Sequence, residues 1–333
     1  MKKYISAALA VLLAVTVFTG CAAGSRHAEH GDAGKLSVVA TIFAPFDFAR
    51  QVAGEHANVT MLLPPASESH SFEPTPQDII AIQNADVFIY VGGESDEWVN
   101  NVLDSMDRSK MKIVTLMDCV EVVEEEVIEG MDSSDNSEQI TVNRDGGETG
   151  DAEGAAEVEY DEHVWTSPRN VKLIAQKLSD TFCAIDAANA DTYTANTASY
   201  LEKLDELDAK FQAVVDAAPR KTLVFGDRFP FRYFADAYGL DYFAAFPGCS
   251  TETECSAATV AFLIDKVTAE QIPVIFHIEL SNVKIAATIA EATGAEVLEL
   301  HAAHNISKAD FENGVTYLDI MTQNVTALRE ALQ

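Results

Sequence analysis

The chain has 333 residues, of which 48% are hydrophobic, and its formal net charge is −31 at pH 7. This excess of acids excludes nucleic-acid binding through a basic surface, because phosphate recognition depends on cationic side chains. The length allows about two domains with substantial cores, and the five cysteines are too few for a disulfide scaffold.

The first twenty residues have the pattern of a secretory signal peptide. Lys2 and Lys3 precede an apolar stretch at residues 5–18, which is shorter than the roughly 20 residues of a membrane-spanning helix. The Phe-Thr-Gly-Cys sequence that ends at Cys21 resembles a bacterial lipobox. We therefore predict cleavage before a lipidated Cys21, a flexible tether over 21–35, and a location on the extracytoplasmic face of the bacterial cell membrane. An ordinary signal peptide with a coincidental cysteine is the alternative.

Short apolar runs alternate with helical patterns in the region that follows the tether. A Thr75-Pro76 pair, with an acid two residues later, has the pattern of a helix start. Alternating strands and helices indicate a mainly parallel sheet covered on both faces. Strands are predicted at 36–42, 59–63, 87–91 and 113–116, and helices at 45–53, 77–85 and 97–106.

The second half of the chain repeats this pattern. Residues 222–235 echo residues 38–49, each with a strand, a Phe/Pro-rich elbow and an aromatic helix start. Apolar residues at helical spacing fill the stretch between the halves, and the longest predicted helix there covers 190–217. The sequence therefore predicts two similar α/β lobes with mainly parallel sheets, joined by a long rigid helix. The predicted boundaries are 36–166 for the N-terminal lobe, 167–218 for the linking helical segment and 219–333 for the C-terminal lobe.

Two histidines lie in similar loops just ahead of proline-started helices. His70 is followed by Glu-Pro-Thr-Pro-Gln-Asp, and His163 begins the sequence His-Val-Trp-Thr-Ser-Pro. Both motifs resemble the metal-binding motifs of the zinc/manganese ABC-transporter solute-binding lipoproteins, and the resemblance extends from about Lys35 to the end. It implies a divalent metal held between the lobes by His70 and His163 and delivered to the membrane subunits of an ABC permease.

The third ligand that this resemblance implies is a His or Glu near the first strand of the second lobe. The sequence here is Gly226–Phe234, which contains neither residue type. Counting back from Tyr233 places Arg228 at the ligand position, and a cation cannot ligate a metal ion. Asp227, one residue earlier, is therefore the predicted third ligand. The alternative is that Asp227 pairs locally with Arg228 or Arg232.

The fourth ligand of the family falls near the end of the last core strand. His301 stands there and is predicted to ligate, with His304 in reserve. Glu279 also ends a strand and is either a further ligand or an acceptor that orients one. Three imidazoles and one carboxylate favour Zn²⁺ over Mn²⁺, whose sites contain more oxygen. We expect binding to weaken as the pH falls through the histidine range near 6.5.

An acidic insert separates the first sheet from His163. Residues 121–162 contain sixteen acids and one base, Arg144, and the low aromatic content over 131–156 predicts disorder within about 121–160. A solvated charged loop is one interpretation, and weak collection of cations near the mouth of the site is our hypothesis. Cys249 and Cys255 are close enough in sequence to form a small disulfide outside the cytoplasm, and this pairing is left open.

The predicted function is capture of extracytoplasmic Zn²⁺ for uptake through an ABC permease by a monomeric, non-enzymatic lipoprotein that does not bind nucleic acid. A manganese-binding member of the same class is the first alternative. A secreted metallohydrolase and an adhesin with a structural metal are alternatives from other classes. No His-Glu-x-x-His motif or nucleophile elbow is present in the sequence, which disfavours the hydrolase.

Overall fold

The computed structural model describes residues 34–132, 159–250 and 254–333. The signal peptide, Cys21 and most of the acidic insert lie outside these residues, so the structure does not bear on those predictions. Within the described residues, no helix combines the length and the apolar character that crossing a membrane requires.

The first lobe is built on a four-stranded sheet. Its elements are β1 (Leu36–Ala40), α1 (Phe43–Ala53), β2 (Ala57–Met61), α2 (Pro76–Gln83), β3 (Val87–Tyr90), α3 (Glu97–Asp104) and β4 (Lys112–Thr115). The strands are parallel and their order is β2-β1-β3-β4. The direction of winding reverses between β1 and β3, and parallel sheets open a ligand crevice beyond the carboxyl ends of the strands at such a point.

Two helices follow the acidic insert and link the lobes. They are α4 (Pro168–Ile185) and α5 (Ala190–Ala217). The 28 residues of α5 span roughly 42 Å at about 1.5 Å per residue. This helix packs against both α4 and α1, and Arg169 Nε donates to Asp208 Oδ1 at 2.9 Å between the two linking helices. The predicted linking segment is thus a pair of helices, of which the second is the long one.

The second lobe repeats the sheet of the first. Its elements are β5 (Thr222–Phe229), α6 (Arg232–Tyr238), β6 (Asp241–Pro247), α7 (Ala257–Glu270), β7 (Val274–His277), α8 (Lys284–Thr293), β8 (Glu296–Glu299), α9 (Lys308–Asn313) and α10 (Tyr317–Ala331). The parallel order β6-β5-β7-β8 is the first sheet's order at equivalent positions. The prediction of two similar α/β lobes is therefore confirmed.

One apolar core runs through both lobes. Phe43 of the first lobe, Trp165 beside the linking helices and Phe231 of the second lobe belong to a single cluster of buried side chains. The final helix, α10, contacts both α1 and α5. Its Tyr317 N–H donates to the buried Asp47 Oδ2 at 2.9 Å. The lobes are thus joined by packing as well as by the linking helices.

The loop after β8 is tied to the loop after β2. Asn305 Nδ2 donates to Pro64 O at 2.8 Å and to Ser67 O at 2.9 Å, and Ala66 N–H donates to Ile306 O at 2.8 Å. A buried side-chain amide that is satisfied by two carbonyls holds both loops in one arrangement. These contacts bring the histidine-bearing loops of the two lobes together.

Candidate metal centre

His70 lies in the long loop between β2 and α2. The loop ends at a capping box, in which the Thr75 and Asp78 side chains each bond to the other residue's backbone N–H. His70 Nδ1 lies 2.8 Å from Ser95 Oγ. Because Ser95 Oγ donates its own hydrogen to Glu162 Oε1, it is left to accept from His70 Nδ1–H. The His70 side chain is only 4% exposed, so this bond fixes a buried ring.

His163 lies just before the short 3₁₀ turn Val164–Thr166 that leads into α4. It is fully buried, and its Nδ1 lies 3.0 Å from Asp161 Oδ1, which also accepts the His163 backbone N–H at 2.8 Å. A carboxylate can only accept, so Nδ1 carries the hydrogen. The Trp165 ring packs against the imidazole with a centroid separation of 5.5 Å.

His304 occupies the loop after β8. Its Nδ1 lies 3.2 Å from Glu279 Oε1, and its backbone N–H donates to the same oxygen at 2.9 Å. The other carboxylate oxygen, Oε2, accepts from Ala302 N–H at 2.7 Å. Glu279 lies just after β7, and His304 lies in the loop after β8. A side chain at the carboxyl end of β7 therefore orients the histidine that follows the neighbouring strand β8.

The three imidazoles converge on one point. Their ring centroids are 5.6 Å apart for His70 and His163, 5.4 Å for His70 and His304, and 4.9 Å for His163 and His304. One nitrogen from each ring lies within 4.8 Å of the others. All three Nε2 atoms are buried without a hydrogen-bond partner among the described residues. Each Nδ1 is engaged with an oxygen, so the Nε2 lone pairs are the ones left for a metal ion. Buried polar atoms are costly when unsatisfied, and a bound metal ion would satisfy all three.

The electrostatics of the cluster keep two of the rings neutral. Burial lowers the pKa of His70 well below its ordinary value, and the nearby His304, His163 and Arg228 lower it further. Burial also lowers the pKa of His304 against the opposing attraction of Glu279. For His163, burial disfavours the charged form, but Asp161, Glu162 and Glu125 outweigh it and raise the pKa. Neutral imidazole is the form that binds a metal ion.

His301 is not brought into the cluster. Its Nδ1 accepts from Ala303 N–H at 3.0 Å and lies 3.5 Å from Glu279 Oε2, and the ring lines a separate surface cavity beside Gln323 and Asn324. Ala303 adopts a left-handed conformation with φ of 62°. This turn directs His304, rather than His301, into the crevice with His70 and His163.

Asp227 also lies outside the cluster. One carboxylate oxygen accepts from Arg228 N–H at 2.9 Å and the other from Ile278 N–H at 3.1 Å, so the side chain bridges β5 and the end of β7. The β5 pairing register shifts between Phe225 and Arg228. Arg228 donates to Glu68 Oε2 at 3.1 Å, which places an ion pair between the lobes at the position where the resemblance implies a third ligand.

Sequence reasoning did not find all the groups that orient the histidines. Asp161 and Glu162 stand next to His163 in the sequence, and their proximity was a usable signal. Ser95 is separated from His70 by 25 positions and lies in the short 3₁₀ turn Glu94–Asp96 ahead of α3, so no local pattern marked it. Cys249 and Cys255, whose pairing was left open, form no disulfide within the residues that the structure describes.

The chain has two lobes of like topology and a buried polar site in the crevice between them. This arrangement defines the class of two-lobed solute-binding proteins. The chain belongs to the family described as zinc-uptake complex component A, periplasmic, whose sequence profile matches residues 38–331.

Individual relatives agree with this assignment. The chain is 31% identical over 331 residues to the zinc-binding lipoprotein AdcA of Streptococcus pneumoniae strain R6, covering 99% of this chain and 61% of that protein's length. It is 29% identical over 298 residues to the high-affinity zinc uptake system protein ZnuA of Bacillus subtilis, covering 90% and 88% of the two chains. Thus it spans less than two thirds of the first relative.

Solved structures show the same fold. The crystal structure of the Zn(II)-bound ZnuA-like domain of Streptococcus pneumoniae AdcA aligns with a TM-score of 0.71 at 28% identity, covering 90% of this chain and 99% of that one. The metal-dependent lipoprotein YcdH of Bacillus subtilis aligns with a TM-score of 0.72 at 28% identity, covering 90% and 100%.

Proposed function

We propose that this protein captures Zn²⁺ outside the cytoplasm and delivers it to the membrane subunits of an ABC permease for zinc uptake. The observation that carries the proposal is the set of three buried Nε2 atoms of His70, His163 and His304, which have no hydrogen-bond partner in the part of the chain that the structure describes, on rings that each place a nitrogen within 4.8 Å of the others. Membership of the zinc-uptake family and the names of the relatives support the same cargo.

The donor set favours zinc. Three neutral imidazole nitrogens suit Zn²⁺, which binds His at about 2.0–2.1 Å, whereas manganese sites contain more carboxylate and water oxygen. Each Nδ1 is committed to an oxygen of Ser95, Asp161 or Glu279, an arrangement that fixes the rings and raises their basicity as ligands. Asp227 and His301 were the predicted third and fourth ligands. We now propose His304 in place of that pair, and a three-histidine site.

Binding rather than catalysis is the activity that we propose. The side chains of His70, His163 and His304 are 4%, 0% and 8% exposed. A catalytic metal must keep a coordination position open to water and substrate, and such burial leaves little access for a substrate. We further propose that Cys21 carries the lipid anchor, in keeping with the relatives that are named lipoproteins.

The test is zinc binding by purified protein and its histidine variants. We expect one tightly bound zinc per chain, and a loss of affinity greater than about tenfold in His70→Ala, His163→Ala and His304→Ala. His277→Ala is the matched control, because His277 Nδ1 already bonds to Ile278 O and lies outside the cluster. Unchanged affinity in all three cluster variants would overturn the proposed site.

A cell-based assay tests transport. Cells that lack their own zinc-binding component and carry the cognate permease should regain growth in low zinc with the wild-type protein but not with His304→Ala.

Turnover of ester, peptide or phosphate substrates by the zinc-loaded protein would favour the hydrolase alternative. Loss of the folded state upon chelation would favour a structural metal.

A further inference from the structure

An ion pair joins the two lobes next to the histidine cluster. Arg228 of β5 donates to Glu68, in the loop after β2, with Nη2 at 3.1 Å from Oε2 and Nη1 at 3.4 Å from Oε1. Two parallel bonds between a guanidinium and a carboxylate give a pair both strength and a fixed geometry. Arg228 Nη1 also donates to Ser250 O at 3.2 Å, so the arginine is anchored within its own lobe. The bonds that cross between the lobes are therefore those to Glu68.

The pair borders a narrow cavity that leads to His304. Glu68, Arg228, Leu280 and His304 are among the residues that line this cavity, which has a volume of about 20 Å³. Glu68 and Leu280 are exposed whereas His304 is buried, so the cavity runs from the surface towards a proposed ligand. A space of this size holds about one water molecule. A zinc ion that still carries several waters of hydration is too large to pass through it.

A second cavity touches His304 from another side and does not reach the surface in the same way. Every residue that lines it, Asp96 and Trp165 among them, is buried or half-buried. Among the described residues, the cavity beside the ion pair is therefore the better route between solvent and the three-histidine site.

The two charges of the pair act in opposite ways on a cation that takes this route. Arg228 keeps its proton, and it lies close enough to His70 and His304 to lower the pKa of both rings, so its positive charge acts at the site. The carboxylate of Glu68 can bind zinc through the same oxygens that it offers to Arg228. An ion that enters the cavity therefore competes with Arg228 for Glu68.

We propose that the Glu68–Arg228 pair is a gate to the three-histidine site, which opens each time a zinc ion enters or leaves. Glu68 turns from Arg228 to the ion, which gives up waters of hydration as it gains a carboxylate ligand. Arg228 stays bonded to Ser250 O, and the pair closes again once the ion has passed. This inference rests on the proposed function, because the gate controls the rates of capture and release at that site.

A gate has a kinetic signature that other roles of the pair lack. Its loss raises the association and dissociation rates together, because the same barrier lies on the way in and on the way out. Glu68 Oε1 also accepts from His70 N–H at 3.3 Å, so a pair that only positions His70 would, when broken, raise the dissociation rate alone. If Arg228 only repels cations, its removal would speed association and slow dissociation.

The experiment is stopped-flow measurement of both rates for the mature protein and for its variants Glu68→Gln and Arg228→Gln, with zinc chloride and a chelating dye. Glu68→Gln keeps an oxygen for the His70 N–H and removes the charge. In each variant we expect both rates to rise by about two- to fivefold, the effect of one partly exposed ion pair, and the dissociation constant to change less than either rate. Glu73→Gln and Arg108→Gln make the same changes of charge at exposed positions and should leave both rates as in wild type.

The outcomes separate the gate from the site. Rates that move in opposite directions in either variant, a rise in the dissociation rate alone, or rates equal to those of wild type would overturn the gate. These results leave the proposed function intact if the wild-type protein binds one zinc that His304→Ala loses. Absence of tightly bound zinc from the wild-type protein would overturn the three-histidine site, and the gate with it.

Discussion

His70, His163 and His304 each rely on a different kind of partner to hold the ring. Ser95 acts through its hydroxyl, whereas Asp161 and Glu279 act through carboxylates. All three partners contact Nδ1. Because Nδ1 carries the hydrogen in each ring, the lone pair of Nε2 is left to bind a metal ion. The common geometry explains how residues far apart in the sequence present one type of atom to a single point.

The two histidines after β8 provide a direct comparison. His304→Ala should weaken zinc binding by more than about tenfold, because it removes one of three Nε2 donors. His301→Ala should change the affinity much less, since the His301 ring lies outside the cluster and is partly exposed. Zinc affinity measured by competition with a chelator distinguishes them. A larger loss in His301→Ala than in His304→Ala would contradict the proposed ligand set.

The carboxylate of Asp161 should set the pH at which zinc binding begins to fail. It contributes to raising the pKa of His163 above the ordinary value, so protons compete with zinc for His163 already above pH 6.5. Asp161→Asn retains an oxygen that can accept Nδ1–H but removes the charge. The His163 pKa should then fall, and the midpoint of the loss of zinc binding should move to lower pH.

Zinc affinity as a function of pH, measured for wild type and Asp161→Asn, checks this prediction. Overall affinity at pH 8 should drop by about 10-fold to 100-fold, because the ring becomes a weaker donor. Asp208→Asn is a suitable control, since that carboxylate contacts Arg169 in the linking helices. A midpoint that stays in place or rises would show that Asp161 does not control His163.

At the scale of elements, the loop between β7 and α8 carries a residue that orients His304 and also has a strained backbone. It carries Glu279, and both Leu280 and Val283 adopt left-handed conformations with φ of 59° and 47°. A β-branched residue in this region is disfavoured, and such strain often accumulates at functional sites. Val283 is 39% exposed, so its side chain contributes little burial to offset that cost.

Val283→Asn should stabilise the protein in the absence of zinc. The left-handed conformation costs an ordinary residue roughly 1–2 kcal/mol, and Asn tolerates it better than Val, so we expect a gain of about 1 kcal/mol. Urea unfolding of the metal-free protein measures this gain. Val283→Ala keeps a Cβ in the same conformation and should gain less. Equal stability of all three proteins would show that the conformation is not strained.

Most of the elements could be predicted because their sequence signals are local. The apolar run at β1 and the capping box before α2 mark their own positions, and helical spacing marks α5. The helices α7 and α10 were not assigned, although α10 also begins with a capping box. Its role depends on contacts with α1 and α5 that no local pattern encodes.

The site was harder to predict than the fold. His70 and His163 could be singled out from their motifs and from the resemblance that these motifs carry. The choice between His301 and His304 depends on the left-handed turn at Ala303, an unusual conformation for alanine. Asp227 was proposed by counting residues across an elbow whose pairing register is irregular, and counting cannot show which way a side chain points there.

At the scale of the whole molecule, the site depends on both lobes and on the segment between them. His70 comes from the first lobe, His163 from the stretch just ahead of the first linking helix and His304 from the second lobe. One core and the Asn305 bonds hold these parts together. The binding geometry is therefore built into the folded chain, because packing and hydrogen bonds fix all three parts of the site.

The net charge of −31 acts at longer range than any of these contacts. Residues 133–158 of the acidic insert contain seven acids and one base, and they lie outside the described residues. The insert rejoins the fold at the bridge between Glu124 and Tyr160, close in sequence to His163. Acidic segments raise the local concentration of cations, and salt screens this effect over about 8–10 Å.

Replacing those seven acids by Asn or Gln should slow zinc association, by up to about tenfold at low salt, and should make the rate less sensitive to salt. The dissociation rate should change little, because the three histidines are untouched. Stopped-flow measurement at low and high salt checks both rates. Neutralising the exposed acids Asp191, Glu202 and Glu206 of α5 provides a control on general charge. Association rates and salt dependence equal to wild type would mean that the insert does not gather cations, and that its charge serves only to keep the loop solvated.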